Sequence, residues 1–114
     1  MLEKIIELTN EYIESMPKKE RKKYGQFFTS METARFMANL YDITSDMTKI
    51  SVLDAGAGSG ILACAFLERV ERLPFVEEIE VTCYENDEKI LQLLENNLKY
   101  CQQKLTGKFS SVCA

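Results

Sequence analysis

Ile50-Ser51-Val52-Leu53-Asp54-Ala55-Gly56-Ala57-Gly58-Ser59-Gly60 decides how this chain reads. A short aliphatic run passes straight into three alternating glycines. The run predicts a strand. The glycines predict a turn whose backbone bends sharply and comes close to a ligand. Residues 60–72 then read as a helix, with Leu62, Phe66, Val70 and the following Leu73 at near-helical spacing, and Pro74 breaks it. Ile79-Glu80-Val81-Thr82-Cys83-Tyr84 reads as a second strand, with Ile79, Val81 and Cys83 alternating onto one face. A long helix over 87–105 follows. Its seam is Leu91, Leu94, Leu98, Cys101 and Leu105, with Asp87 as N-cap and Gly107 available for a left-handed C-cap. Residues 109–114 read as the start of a third strand, where the sequence stops. Strand–helix–strand–helix–strand predicts an α/β fold with a parallel sheet and right-handed crossovers. An end inside a strand leaves an open sheet edge. The expectation is the N-terminal piece of a larger protein, able to self-associate through that edge.

Upstream, residues 2–16 form an amphipathic pattern of Leu2, Ile5, Ile6, Tyr12, Ile13 and Met16, with Thr9 completing the stripe, and Pro17 stops it. Lys18-Lys19-Glu20-Arg21-Lys22-Lys23 puts five positive charges in six positions. It reads as a solvated linker between helices or as a contact to nucleic-acid phosphates. Tyr24-Gly25-Gln26-Phe27-Phe28-Thr29-Ser30 is an aromatic turn. Thr29-x-x-Glu32 matches a capping box that opens a second helix to about Tyr41. Thr44-Ser45-Asp46 is a loop. The chain therefore divides into a helical N-terminal extension, 1–45, and an α/β part, 46–114.

With 114 residues, 46% hydrophobic and 28% charged, the composition is globular and the length suits one small domain. No stretch of 18 apolar residues supports a membrane span. The start lacks the basic-then-apolar order of a signal peptide. Cys64, Cys83, Cys101 and Cys113 are widely spaced with no C-x-x-C, which argues against a zinc site or a disulfide framework and fits a reducing cytoplasm. The absence of histidine excludes histidine chemistry and histidine-ligated metal. The net charge of −4 argues against a wholly basic coat for nucleic acid but leaves room for a local basic patch.

The glycine turn lies where open α/β sheets bind ligands, outside the carboxyl ends of the strands. A plain tight turn needs fewer glycines than three. The dinucleotide fingerprint spaces them G-x-G-x-x-G; here the pattern is G-x-G-x-G, with Asp54 two residues before it. A carboxylate there attracts an ammonium group and sits poorly beside a pyrophosphate. That turns the reading from a nicotinamide nucleotide towards a zwitterionic ligand. Glu85, at the carboxyl end of the second strand, can accept hydrogen bonds from a ribose diol, and Asn86 can border an adenine ring. Taken alone, Glu85 reads equally as a solvated acid. Phe27 and Phe28 read as core residues, or as an aromatic face sheltering a cation beside a helix N-terminus that binds a carboxylate.

Together these segments resemble the N-terminal part of the catalytic domain of γ-type DNA adenine-N6 methyltransferases of restriction–modification systems. Gly25-Gln26-Phe27-Phe28-Thr29-Ser30 is similar to the family's G-x-F/Y-F/Y-T-P segment, with Ser30 where proline is usual. Asp54-Ala55-Gly56-Ala57-Gly58-Ser59-Gly60 matches its cofactor loop, and Glu85 its ribose acid. The resemblance covers roughly residues 20–90 and implies a partial Rossmann-like methyltransferase fold that binds S-adenosylmethionine. It implies that Gln26, Phe27, Phe28, Thr29 and Ser30 hold the methionine end. Asp54, Ala55, Gly56, Gly58, Ser59 and Gly60 would surround the cofactor, and Glu85 and Asn86 its nucleoside. DNA is the implied partner. The family's Asn/Asp-Pro-Pro-Tyr/Phe catalytic motif is absent, because neither Pro17 nor Pro74 is followed by a second proline. Catalytic residues are expected beyond Ala114, and these 114 residues alone are expected to transfer no methyl group. Methylation of RNA or protein, and a non-catalytic cofactor-binding or assembly module, are the alternative readings.

Overall fold

The computed structural model describes the backbone of residues 1–25, 28–105 and 109–113, and the side chains of residues 1–23 and 28–105. Strands β1 (Lys49–Ala55), β2 (Glu78–Tyr84) and β3 (Phe109–Cys113) pair in parallel in the order β1-β2-β3. Helix α4 (Ile61–Glu71) joins β1 to β2, and α5 (Glu88–Lys104) joins β2 to β3. This is the α/β arrangement that the sequence pattern predicts. Ile50, Val52 and Asp54 lie level with Ile79, Val81 and Cys83, so the alternation of both strands points one shared row into the core. Ile79, Val81 and Cys83 are fully buried with Leu67 and Val70 of α4 and Leu94, Leu98 and Cys101 of α5. On the opposite face Leu53 and Tyr84 are exposed. Cys64, Cys83 and Cys101 are buried.

Three helices precede the sheet: α1 (Leu2–Glu14), α2 (Lys18–Gly25) and α3 (Met31–Ala38). Leu2 and Ile5 of α1, with Ala34 and Ala38 of α3, join the same core as α4. Helix α1 stops two residues short of the predicted end. The Ser15 hydroxyl donates to the Tyr12 carbonyl at 2.6 Å and takes an acceptor that a further turn would use. Residues 18–23, read from sequence as a solvated linker or phosphate contact, form a helix. Proline has no N–H to lose at a helix start, and the Pro17 carbonyl accepts from Glu20 N and Arg21 N.

Helix α3 corrects the predicted capping box. Ser30, not Thr29, is the N-cap, and its Oγ accepts from Thr33 N at 3.3 Å. The helix ends at Ala38 rather than near Tyr41. Asn39 Nδ2 donates to the Arg35 carbonyl, and Arg69 Nη1 donates to the carbonyls of Ala38 and Tyr41 at 2.8 and 2.6 Å. A long-range guanidinium thus satisfies carbonyls that helix continuation would have claimed. The predicted cap at Gly107 lies outside the described residues.

Asp87 is the N-cap of α5, and its Oδ1 accepts from Lys89 N and Ile90 N. Asp87→Ala should cost about 1 kcal/mol in urea unfolding, while Asp87→Asn, an equally good cap, should cost little. Equal losses in both variants would show that Asp87 acts through its charge and not through its cap.

Candidate functional site

The turn after β1 rests on three left-handed residues. Gly56, Gly58 and Gly60 have φ of 84°, 59° and 90°, a conformation that costs a residue with a side chain about 1–2 kcal/mol. The glycines serve different ends. A β-carbon at Gly60 would lie 2.9 Å from Leu94 Cδ1, so Gly60 lets α4 settle onto α5. At Gly58 it would lie 3.6 Å from the Phe28 ring. At Gly56 it would meet nothing within 4 Å, so the backbone there faces open space.

The turn is fastened along its length. Gly56 N and Ala57 N both donate to the Tyr84 carbonyl, at 2.8 and 2.9 Å, tying the turn to the end of β2. Gly58 N donates to Glu85 Oε1 at 2.9 Å, and Asp87 N donates to Glu85 Oε2 at 3.1 Å. From the interior, Asn97 Nδ2 of α5 donates to the Ser59 carbonyl at 2.8 Å. Thr9 Oγ1 of α1 lies 2.8 Å from the Ile5 carbonyl and 2.9 Å from Ser59 Oγ. A hydroxyl has one proton, so Thr9 donates to Ile5 and Ser59 donates to Thr9. Thr9, Ser59 and Asn97 are the buried polar residues of the described chain, and they meet under the turn.

Above the turn Phe28, Thr29, Asp54, Gly56, Gly58 and Ser59, with Ala57, Ile61 and Leu62, line a small cavity of about 90 Å³. It is large enough for part of a ligand. Burial pushes the half-buried Asp54 carboxyl above the usual carboxylate range, and the neighbouring Glu85 carboxylate adds to the shift. A raised pKa favours the folded state at low pH, and that advantage is lost as pH rises through the folded value. At neutral pH the charged Asp54 therefore works against the fold, and a cation bound beside it would relieve the cost. A larger groove of about 550 Å³ lies between α3 and α4, away from these acids. Two of its arginines are already committed, Arg35 to Glu3 and Glu68 and Arg69 to backbone carbonyls.

Of the residues singled out from sequence, Phe28, Thr29, Asp54, Gly56, Gly58 and Ser59 come together around this cavity, and Glu85 joins them through Gly58. Ser30 is spent on capping α3. Gly60 lies under Leu94. Ala55 and Asn86 are exposed outside the cavity lining. Gln26 and Phe27 lie outside the described residues. Sequence reasoning missed Asn97 and the structural part of Thr9. The available signal was an asparagine at an inward position between Leu94 and Cys101, and a threonine on an apolar stripe.

Over 82 residues, 72% of its length, the chain is 38% identical to the type II methyltransferase M.PstI of Providencia stuartii. This chain is related to part of a methyltransferase. It spans 16% of that relative's length. No family model matches it. Among solved structures it is similar to the glycopeptide N-methyltransferase MtfA complexed with sinefungin. That match has 21% identity and a TM-score of 0.48, over 74% of this chain and 29% of that one.

The buried contact between Thr9 and Ser59 yields a double-mutant test. Thr9→Val strands the Ser59 hydroxyl and should cost about 1–3 kcal/mol. Adding Ser59→Ala should cost less than the two single losses combined. Strict additivity in urea unfolding would show that the two hydroxyls do not interact.

Proposed function

We propose that this chain carries the S-adenosylmethionine-binding part of a DNA adenine-N6 methyltransferase. The observation that carries the reading is the glycine turn with Asp54 and Glu85 beside it and Phe28 and Thr29 across from it. Among the described residues neither carboxylate has an ion-pair partner. The chain's own residues suit such a cofactor. Asp54 offers a desolvated negative charge to an ammonium group. Each Glu85 oxygen accepts one backbone N–H, which fixes the carboxylate. Each oxygen keeps further acceptor capacity for a ribose diol. The open space at Gly56 admits an adenosine edge close to the backbone. Phe28 supplies an apolar wall. S-adenosylmethionine, when bound, supplies an electrophilic methyl group on sulfur. DNA and adenine rest on the Gln26–Ser30 segment, on its likeness to the family's G-x-F/Y-F/Y-T-P motif, and on the type II methyltransferase relative.

Calorimetric titration tests the cofactor. S-adenosylmethionine should bind and NAD should not. At about 100 times its dissociation constant it should stabilise the fold by roughly 2.7 kcal/mol. Binding of NAD without a response to S-adenosylmethionine would overturn the reading. Gly56→Val, which fills the open space and strains a positive φ, should abolish binding.

Asp54→Asn separates stability from function. Removing a charge held in an unfavourable place should raise the melting temperature at pH 7, while cofactor affinity falls. The stability gain should vanish as pH falls and the wild-type carboxyl takes up its proton. A variant that loses stability at pH 7, or binds the cofactor as well as the wild type, would contradict this role.

A further inference from the structure

Helix α2 is the part of the chain whose charge the cofactor site does not use. Five of the chain's 14 basic residues and one of its 18 acids fall in residues 18–23, leaving +4 there and −8 on the rest. At about 100° per residue, Lys18, Lys22, Lys19 and Lys23 form one arc. Arg21 extends it to about 200° of the helix surface. Glu20 lies on the opposite side and is the only one of residues 18–23 that is half-buried; the five cations are all exposed. Among the described residues Lys18, Lys19, Arg21 and Lys22 have no ion-pair partner. Exposed like charges this dense repel one another at i,i+4 spacing. An external anion would remove that repulsion.

The helix also ends close in the chain to the candidate site. Gly25 ends it, three positions before Phe28, which fits a Cα separation of at most about 11 Å. The Phe28 ring in turn packs 3.6 Å from the β-carbon position of Gly58. The chain thus sets a cationic helix three residues before a residue that lines the site, while Asp54 in the cavity lining and Glu85 on the turn repel phosphate. A polyanion is repelled by the acids of the site and attracted by the helix.

We propose that the outer face of α2 is a docking surface for the phosphate backbone of duplex DNA. This inference rests on the proposed substrate class and adds the surface that would hold it. The contacts position the duplex and read no sequence. Glutamine keeps helix propensity, so Lys18→Gln/Lys19→Gln/Lys22→Gln removes charge without removing α2. Lys4→Gln/Lys49→Gln/Lys99→Gln removes the same charge elsewhere. Binding of a mixed-sequence duplex of about 20 base pairs is followed by fluorescence anisotropy between about 50 and 200 mM salt. With a slope of about 0.9 per phosphate contact, three lost contacts change the salt response by about 40-fold. The wild type and the charge-matched control should therefore lose about 40-fold more affinity across this range than the α2 variant does. Equal salt responses in the two variants would overturn the proposal, as would preferential capture of single-stranded RNA of the same length by α2. Calorimetry with S-adenosylmethionine on the same proteins keeps the two readings apart. Cofactor binding without duplex binding removes the α2 surface and leaves the cofactor site standing. Salt-dependent duplex binding through α2 without cofactor binding removes the cofactor site instead.

Discussion

The Tyr84 carbonyl accepts two N–H groups, from Gly56 and Ala57, and the geometry of the site follows from that bond pair. The turn meets the neighbouring strand's end with Gly56 and Gly58 at left-handed angles, which glycine takes without steric cost. Once it does, Gly58 N reaches Glu85, and Ser59 drops into the core, where Thr9 and Asn97 hold it. The turn is thus clamped from the strand side and from below. Its open side, at Gly56, is the one with room for a ligand. Pre-organisation of this kind matters because a binding loop that orders only on contact spends part of the interaction energy on ordering.

Charge is distributed with similar economy of contact. Asp54 and Glu85 have no ion-pair partner among the described residues, and burial, with Glu85 beside it, pushes the Asp54 carboxyl up. In α2, which precedes Phe28 in the chain, Lys18, Lys19, Arg21 and Lys22 are crowded on one exposed arc. In each cluster a ligand of the opposite sign would offset the like-charge repulsion. The Arg69 guanidinium, by contrast, is held by the carbonyls of Ala38 and Tyr41 at the end of α3.

Much of this was legible in the sequence because it rests on local rules. Period-two alternation at Ile79, Val81 and Cys83 gave the buried face of β2, and Asp87 followed by a leucine seam gave α5 with its cap. The glycine turn was legible because few other local structures use three alternating glycines. What escaped depended on distant partners. Arg69 shortens α3 from 31 positions away, and no local pattern carries that. Thr9 and Asn97 looked like ordinary positions on amphipathic stripes, since their shared partner, Ser59, is 50 and 38 residues distant. The run Lys18–Lys23 has low hydropathy and no apolar face, which hid a helix started by Pro17.

The central claim is that the turn at Gly56–Gly60 is the surface that receives the cofactor. Amide chemical-shift mapping by NMR on addition of S-adenosylmethionine tests it most directly. The account predicts the largest shifts at Gly56, Gly58 and Glu85, with Arg72 and Lys99 unmoved. Shifts centred instead on the groove between α3 and α4, at Arg35, Asn39 and Arg72, with the glycine turn silent, would contradict it.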